Sequence, residues 1–378
     1  MTRARHGWIA GVVVLAACGG QADGDDAAET LPEATAHAET AAEASFRTGA
    51  EPADQLIHEN ESHFAGLRQL TFGGQNAEAY WSMDDEWVMF QATPREAGCD
   101  QQFTMRADGS GLSLVSTGAG RTTCGYFFPG NDRILYGSTH LGGEECPPEA
   151  DMSQGYVWAL YQEYDIFVAG ADGSNLERLT DAPGYDAEGT MSRDGEWIVF
   201  TSARDGDLEV YKMRTDGTEL TRLTDTPGYD GGPFFSYDGS KIVYRASHPE
   251  GDELADYQRL LAQGLIRPAQ LDIFVMDADG SNKRQLTDNG HANFGPYFFP
   301  DGERIIFSSN MDAESPQVPD FDLYAINADG TGLERVTYAG DFDGFPMFNS
   351  DGTQLIFASN RGNELPRETN LFIADWAD

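Results

Sequence analysis

The sequence predicts an all-β fold, a ring of six blades that are each a four-stranded antiparallel meander. Three observations lead to this six-bladed β-propeller. One Asp-Gly motif recurs along the chain behind short apolar runs, a second Asp-Gly motif alternates with it, and one spare copy of the outermost strand precedes the first repeat. Repeats at intervals of roughly 40 to 50 residues are the signature of propeller blades.

The first motif is Asp172-Gly173-Ser174-Asn175-Leu176-Glu177-Arg178-Leu179-Thr180. It returns from Asp216 to Thr224, from Asp279 to Thr287 and from Asp329 to Thr337, with a shorter copy at Asp108 to Leu112. A β-branched or aromatic run precedes each copy, as at Ile166-Phe167-Val168 and Ile273-Phe274-Val275. The second motif is Met191-Ser192-Arg193-Asp194-Gly195 ahead of Trp197-Ile198-Val199-Phe200. Relatives begin at Phe235, Phe298 and Phe348, and weaker ones at Trp81 and Phe127. Glycine supplies the positive φ of a tight turn and Asp closes it with its carboxylate. The apolar runs between turns read as strands. The turns at Asp194, Asp238, Asp301 and Asp351 lie 44, 63 and 50 residues apart, so some blades carry insertions.

Six units follow from six copies of the second motif. The last unit has three strands, ending near Leu371-Phe372-Ile373, while Leu67-Arg68-Gln69-Leu70-Thr71 repeats the fourth-strand signature with no blade before it. That N-terminal strand is expected to complete the last blade, which closes the ring and hides its edges.

The chain starts with a targeting segment. Arg3, Arg5 and His6 precede an apolar stretch from Gly7 to Ala17, too short to span a bilayer and fitting a secretory signal. Leu15-Ala16-Ala17-Cys18 resembles a bacterial lipobox, which implies lipidation of Cys18 and a stable anchor. Gly19 after the cysteine favours the outer membrane. Residues 19 to 55 are acidic and almost free of large apolar residues, so they read as a flexible tether. The domain reading is therefore 1–17 signal peptide, 18–55 lipidated Cys and acidic tether, and 56–378 propeller. A net charge of −39 argues against nucleic acid and against adhesion to anionic lipid through a basic patch.

These repeats resemble the TolB-type propeller, whose repeat runs Leu-Thr, Pro-Gly-Tyr-Asp, aromatic-Ser-Pro-Asp-Gly, strand, Ala-Asp-Gly. Leu223-Thr224-Asp225-Thr226-Pro227-Gly228-Tyr229-Asp230 and Leu179 to Asp186 carry the match, which extends over residues 64 to 378. TolB itself implies a further N-terminal α/β domain, and the tether is too short and polar for one. Related blades precede the catalytic domain of some serine peptidases, but no Gly-x-Ser-x-Gly elbow occurs here.

All long insertions fall between the second and third strands of a blade, at 93–101, 139–163, 247–270 and 311–320, hence on one face. Asp252 to Gln263 has the apolar spacing of a short helix. Tyr156, Trp158 and Tyr161 lie in the largest insertion. Aligning the blades places Asn76, Thr122, Asp186, Asp230, Asn293 and Asp343 at the channel mouth, with Glu78 and Glu188 two residues further in. Such acids suit a cation, an amine or a basic peptide. A second aligned position reads His140, Arg204, His248, Met311 and Arg361, the arginines pairing with the acids. With His291 on the same face, the three histidines suggest zinc or manganese, and the aspartates suggest calcium. Cys99, Cys124 and Cys146 map to the decorated face of blades one and two. In an oxidising compartment they predict one disulfide, Cys124–Cys146 or Cys99–Cys124.

The functional expectation is a monomeric envelope lipoprotein that binds a protein, peptide or glycan without catalysis. The alternative is a metal-dependent lyase or hydrolase working in the channel, as in related propeller enzymes on uronate sugars.

Overall fold

The computed structural model describes residues 46–93, 98–313, 320–340, 342–363 and 368–377. The signal segment, Cys18, most of the tether and parts of the loops at 93–101 and 311–320 lie outside them. Six sheets form the ring. Blade three is typical, with Asp186–Met191, Trp197–Ser202, Glu209–Arg214 and Thr221–Arg222 in that order from the axis outward. Blades one, two, four and five repeat it, with first strands Gln75–Trp81, Thr122–Phe127, Tyr229–Phe235 and Asn293–Phe298.

Blade six closes as expected. Phe64–Phe72 pairs antiparallel with Asn370–Trp376, with Leu67 opposite Ala374 and Gln69 opposite Phe372. The closure reuses the bond that ties fourth strands to third strands elsewhere. The threonine hydroxyl of the Leu-Thr motif accepts the third-strand N–H in Thr180–Ile166, Thr224–Val210, Thr287–Ile273 and Thr337–Leu323. Thr71 accepts Leu371 N–H in the same way, at 2.8 Å. One more strand, Arg47–Pro52, pairs outside Phe64–Phe72. The folded domain therefore begins ahead of the expected boundary at residue 56. Composition hides this strand because Arg-Thr-Gly-Ala-Glu-Pro shows no apolar alternation. What fixes it is Phe46, whose ring lies 6.0 Å from Phe90 and 5.4 Å from Phe103 of blade one.

The turns are built as the motif suggests. Asp194 accepts from Ser192 Oγ at 2.6 Å and Glu196 N at 3.0 Å, and Gly195 takes φ +73°. All such turns end on one face, and the insertions end on the other. Two insertions meet there. Trp158–Ala159 from blade two pairs with Leu265–Ile266 from blade four across the top of blade three. The expected helix forms at Gly251–Leu261 and buries Tyr257 and Leu260. Tyr257 donates to Asp207 at 2.6 Å and to Gly228 O at 2.8 Å, which bolts the helix to blade three. Val157, Leu160, Tyr161, Tyr164, Leu260 and Ile266 form a core of their own beneath this roof.

The disulfide is Cys99–Cys146, not either predicted pairing, and Cys124 is a buried free thiol. The reason is register. Cys99 and Cys146 both lie in insertion loops, whereas Cys124 occupies a bulge of the innermost strand of blade two.

Candidate binding site in the central channel

Every first strand breaks register at the same place, with shifts after Ala77, Thr123, Ala187, Gly231, Phe294 and Gly344. A β-bulge puts one residue out of the ladder and re-aims its side chain. The residue concerned has positive φ in all six blades: Glu78, Cys124, Glu188, Gly232, Gly295 and Phe345, between +47° and +58°. Left-handed backbone costs an L-residue about 1–2 kcal/mol. Four blades keep a side chain at that cost, and the four together make a ring around the axis.

Glu78 accepts at Oε2 from the Cys124 thiol at 2.8 Å and from the Tyr80 hydroxyl at 3.2 Å. Glu188 accepts from Thr201 Oγ1 at 2.6 Å and Gly232 N at 3.0 Å, and it forms an ion pair with Arg245. Arg245 reaches the channel because Gly232 has no side chain; a Cβ there would collide with its guanidinium. Its guanidinium also lies 5.5 Å from the Trp158 ring of the roof and 5.5 Å from Tyr229. Burial raises the Glu78 carboxyl from 4.5 to about 7, aided by the nearby Glu188 charge. Burial and the Glu78 carboxylate push the Cys124 thiol well above the ordinary thiol range, so it is not an activated nucleophile.

Two residues deeper, aromatic rings fill the bore. Tyr80 lies 5.7 Å from Tyr126 and 5.9 Å from Phe234, and Phe234 lies 5.4 Å from Tyr297. Tyr80 and Phe234 belong to opposite blades, so they meet across the axis. Below them Tyr237 of blade four donates to Phe348 O and Asn349 O of blade six, at 2.9 and 3.0 Å. The channel is thereby plugged towards the turn face.

The predicted mouth residues are placed differently. Asn76, Thr122, Asp186, Asp230, Asn293 and Asp343 are all buried, with at most 1 % of their surface exposed. They tie strand starts to strand ends. Asp186 pairs with Arg204 at 2.8 Å, Asp230 with His248 at 3.1 Å and Asp343 with Arg361 at 2.7 Å. Arg361 also grips Glu61 at 3.1 Å. Asn76 donates to Gly73 O and Thr369 O, and Asn293 donates to Leu271 O. These residues do not offer free acids to a ligand. Glu78 and Glu188, by contrast, stand at the bulge of the innermost strand and bond to side chains of the next blade, Cys124 and Arg245.

The three histidines are not brought together. His140 contacts Ser138 at 2.9 Å through Nδ1 and packs on Phe167 in blade two, where burial lowers its pKa to about 4. His248 serves Asp230 in blade four; burial opposes its charge, yet Asp230 holds its pKa above the ordinary value. Among the described residues, no three His, Cys, Asp or Glu side chains form a group able to hold a metal ion. Asp186 and Asp343, two of the calcium candidates, are each engaged by an arginine, and Asp230, the third, by His248.

Sequence reasoning missed Cys124 and Arg245 as channel residues. The signal for Cys124 was present, since it stands two residues after Thr122 as Glu78 stands after Asn76. The aligned second-strand position reads Gln91, Gly137, Thr201, Arg245, Ser308 and Ala358, and one long cation among shorter uncharged side chains marks the exception.

The family model described as the TolB beta propeller domain matches residues 153–259 and 255–369. The chain belongs to this family. Among solved structures, putative TolB from Agrobacterium tumefaciens aligns with a TM-score of 0.53 at 18 % identity, covering 88 % of this chain and 99 % of that one. The nidogen/laminin complex gives 0.50 at 10 % identity, covering 77 % and 94 %. Oligogalacturonate lyase in complex with manganese gives 0.48 at 12 % identity, covering 89 % and 98 %, and that score carries no argument about chemistry. Identities this low establish a shared fold alone. No curated protein matches the chain. TolB-type blades thus account for the ring.

Proposed function

We propose that this TolB-family propeller is a non-catalytic binding scaffold of the bacterial cell envelope, lipid-anchored at Cys18, whose roofed face receives a partner protein or peptide. The observation that carries the reading is one-sidedness. One face consists of short Asp-Gly turns over a plugged bore. The other carries the interlocked insertions and the Cys99–Cys146 staple, with Tyr156 44 % exposed on the roof. Rigid scaffolds present function on such loops. The metal-dependent alternative is left without a ligand set among the described residues. Envelope targeting draws support from the lipobox, and no described helix is long and apolar enough to cross a membrane.

A photo-crosslinking residue placed at Tyr156 or at Thr218, on opposite faces, tests the scaffold in living cells. A discrete adduct from position 156 and none from 218 is expected. Equal adducts from both positions, or none from either, would overturn it. Labelled palmitate should enter the wild-type chain and not Cys18→Ser.

A further inference from the structure

We propose that the channel binds a small organic cation, a protonated amine or guanidinium, on the Glu78 carboxylate above the aromatic floor. The proposal rests on the scaffold reading and names what its channel takes.

A carboxylate withdrawn from water needs a cation or several strong donors. This fold meets that need with arginine: Asp100 takes Arg121 at 2.7 Å, Asp186 takes Arg204, and Asp343 takes Arg361. Inside the channel Glu188 takes Arg245. Glu78 is the channel carboxylate with no direct ion-pair partner among the described residues, the Arg245 charge reaching it only from its place on Glu188. Its two hydrogen bonds, from Cys124 and Tyr80, both go to Oε2 from neutral donors. Glu78 keeps part of its surface exposed as a residue.

The second observation is independent of charge. Tyr80, Tyr126, Phe234 and Tyr297 floor the site, and Phe345 occupies the bulge position of the adjoining blade. Gly295 brings no side chain to the ring, and a Cβ there would stand 3.6 Å from Phe345 Cδ1. Aromatic faces attract cations through their quadrupole and accept an apolar stem. An anion would meet Glu78 and Glu188. A divalent metal would find, among the described residues, no set of three ligands. An organic monocation satisfies both the carboxylate and the rings. It can arrive as a free amine or as a lysine or arginine side chain of a partner on the roofed face.

Calorimetry on the full chain at pH 8 tests this with benzylamine and butylguanidine, with benzyl alcohol and calcium chloride as controls. The amines should bind, and benzyl alcohol should not at the same concentration. Glu78→Gln should weaken amine binding at least tenfold while keeping both neutral hydrogen bonds, and Glu78→Asp should restore part of it. Binding should strengthen from pH 6 to pH 8 as the carboxyl ionises. A blocked lysine peptide that outbinds benzylamine assigns the site to a partner side chain, and the reverse order assigns it to a free amine. Equal benzylamine binding by Glu78→Gln, an amine no better than the alcohol, or calcium binding in place of the amine would overturn the proposal. Crosslinking from the roof reports separately on the scaffold, so the two can fail independently.

Discussion

Two rings of residues lie two positions apart on the same six strands and have opposite fates. The upper ring, Asn76, Thr122, Asp186, Asp230, Asn293 and Asp343, is polar in every blade and buried, the three aspartates paired within their blades and Asn76, Thr122 and Asn293 bonded to the backbone of the preceding blade. The lower ring, Glu78, Cys124, Glu188, Gly232, Gly295 and Phe345, shares a backbone conformation but mixes two acids, a thiol, an aromatic ring and two glycines. A position whose chemistry repeats around the ring is solving a problem that every blade has. A position that keeps its shape and varies its side chain is free to answer something that lies on the axis. The comparison teaches that polarity in register identified structure, and the irregular ring beneath it identified the site.

The largest effect that separates the rings should come from Arg361. Its guanidinium holds Asp343 at 2.7 Å and Glu61 at 3.1 Å, all three buried. Arg361→Ala leaves two buried carboxylates uncompensated and should cost about 3–5 kcal/mol, as breaking buried ion pairs does. Urea unfolding would measure it. A loss below about 1 kcal/mol would mean that the upper ring is not structural and would reopen it as a binding ring.

Gly232→Ala should follow, at roughly 2–4 kcal/mol. The residue has φ +58°, and a Cβ would drive Arg245 away from Glu188, leaving that acid unpaired. This variant should also raise the channel's preference for cations, because one more carboxylate becomes free. Binding of benzylamine reads that directly.

Glu78 gives the pH-dependent test. The folded state keeps the Glu78 proton up to about pH 7, whereas the ordinary carboxyl loses it near 4.5. Between those values the folded form binds more protons, so wild-type stability falls as pH rises, by about 3 kcal/mol in all. Glu78→Gln removes that fall. It should match wild type at pH 4 and exceed it at pH 8, so the difference between the two stability curves is the measurement. Parallel curves would show that Glu78 ionises freely and that the lower ring is wetter than its neighbours imply.

How much of this could be read in advance follows from the physics of each feature. Turns and strand order were legible because Asp-Gly chemistry is local, and ring closure because the stray Leu70-Thr71 strand repeats a motif. The pairing of Asp186 with Arg204 was legible because repeats supply an internal alignment. The Cys99–Cys146 bond was not, since loops of different length bring those two together and no repeat constrains them. Glu78 and Glu188 were legible as positions by the same alignment, but the bulged backbone of their ring and the aromatic plug were not, because positive φ at Glu78, Cys124 or Phe345 has no residue-type signature. The Trp158–Ile266 pairing arises between insertions of two different blades, where no periodicity reaches.

The smallest effect bears on what left-handed backbone means in this chain. Asn175, Glu219 and Asn282 adopt φ near +52° to +53° in the outer turns, at the position where Gly111 and Gly332 stand in sister turns. Glu219→Gly should therefore relieve strain and change stability by no more than about 1 kcal/mol, in the stabilising direction. Its one ion pair, with Arg214 at 3.4 Å, is exposed and offsets little. Thermal unfolding would measure the change, and amine binding should not move. At Glu78 the same backbone conformation carries a side chain that should alter both stability and binding. If glycine at 219 proved as costly as a change in the bulge ring, left-handed residues would be structural necessities throughout, and the lower ring would lose its distinction.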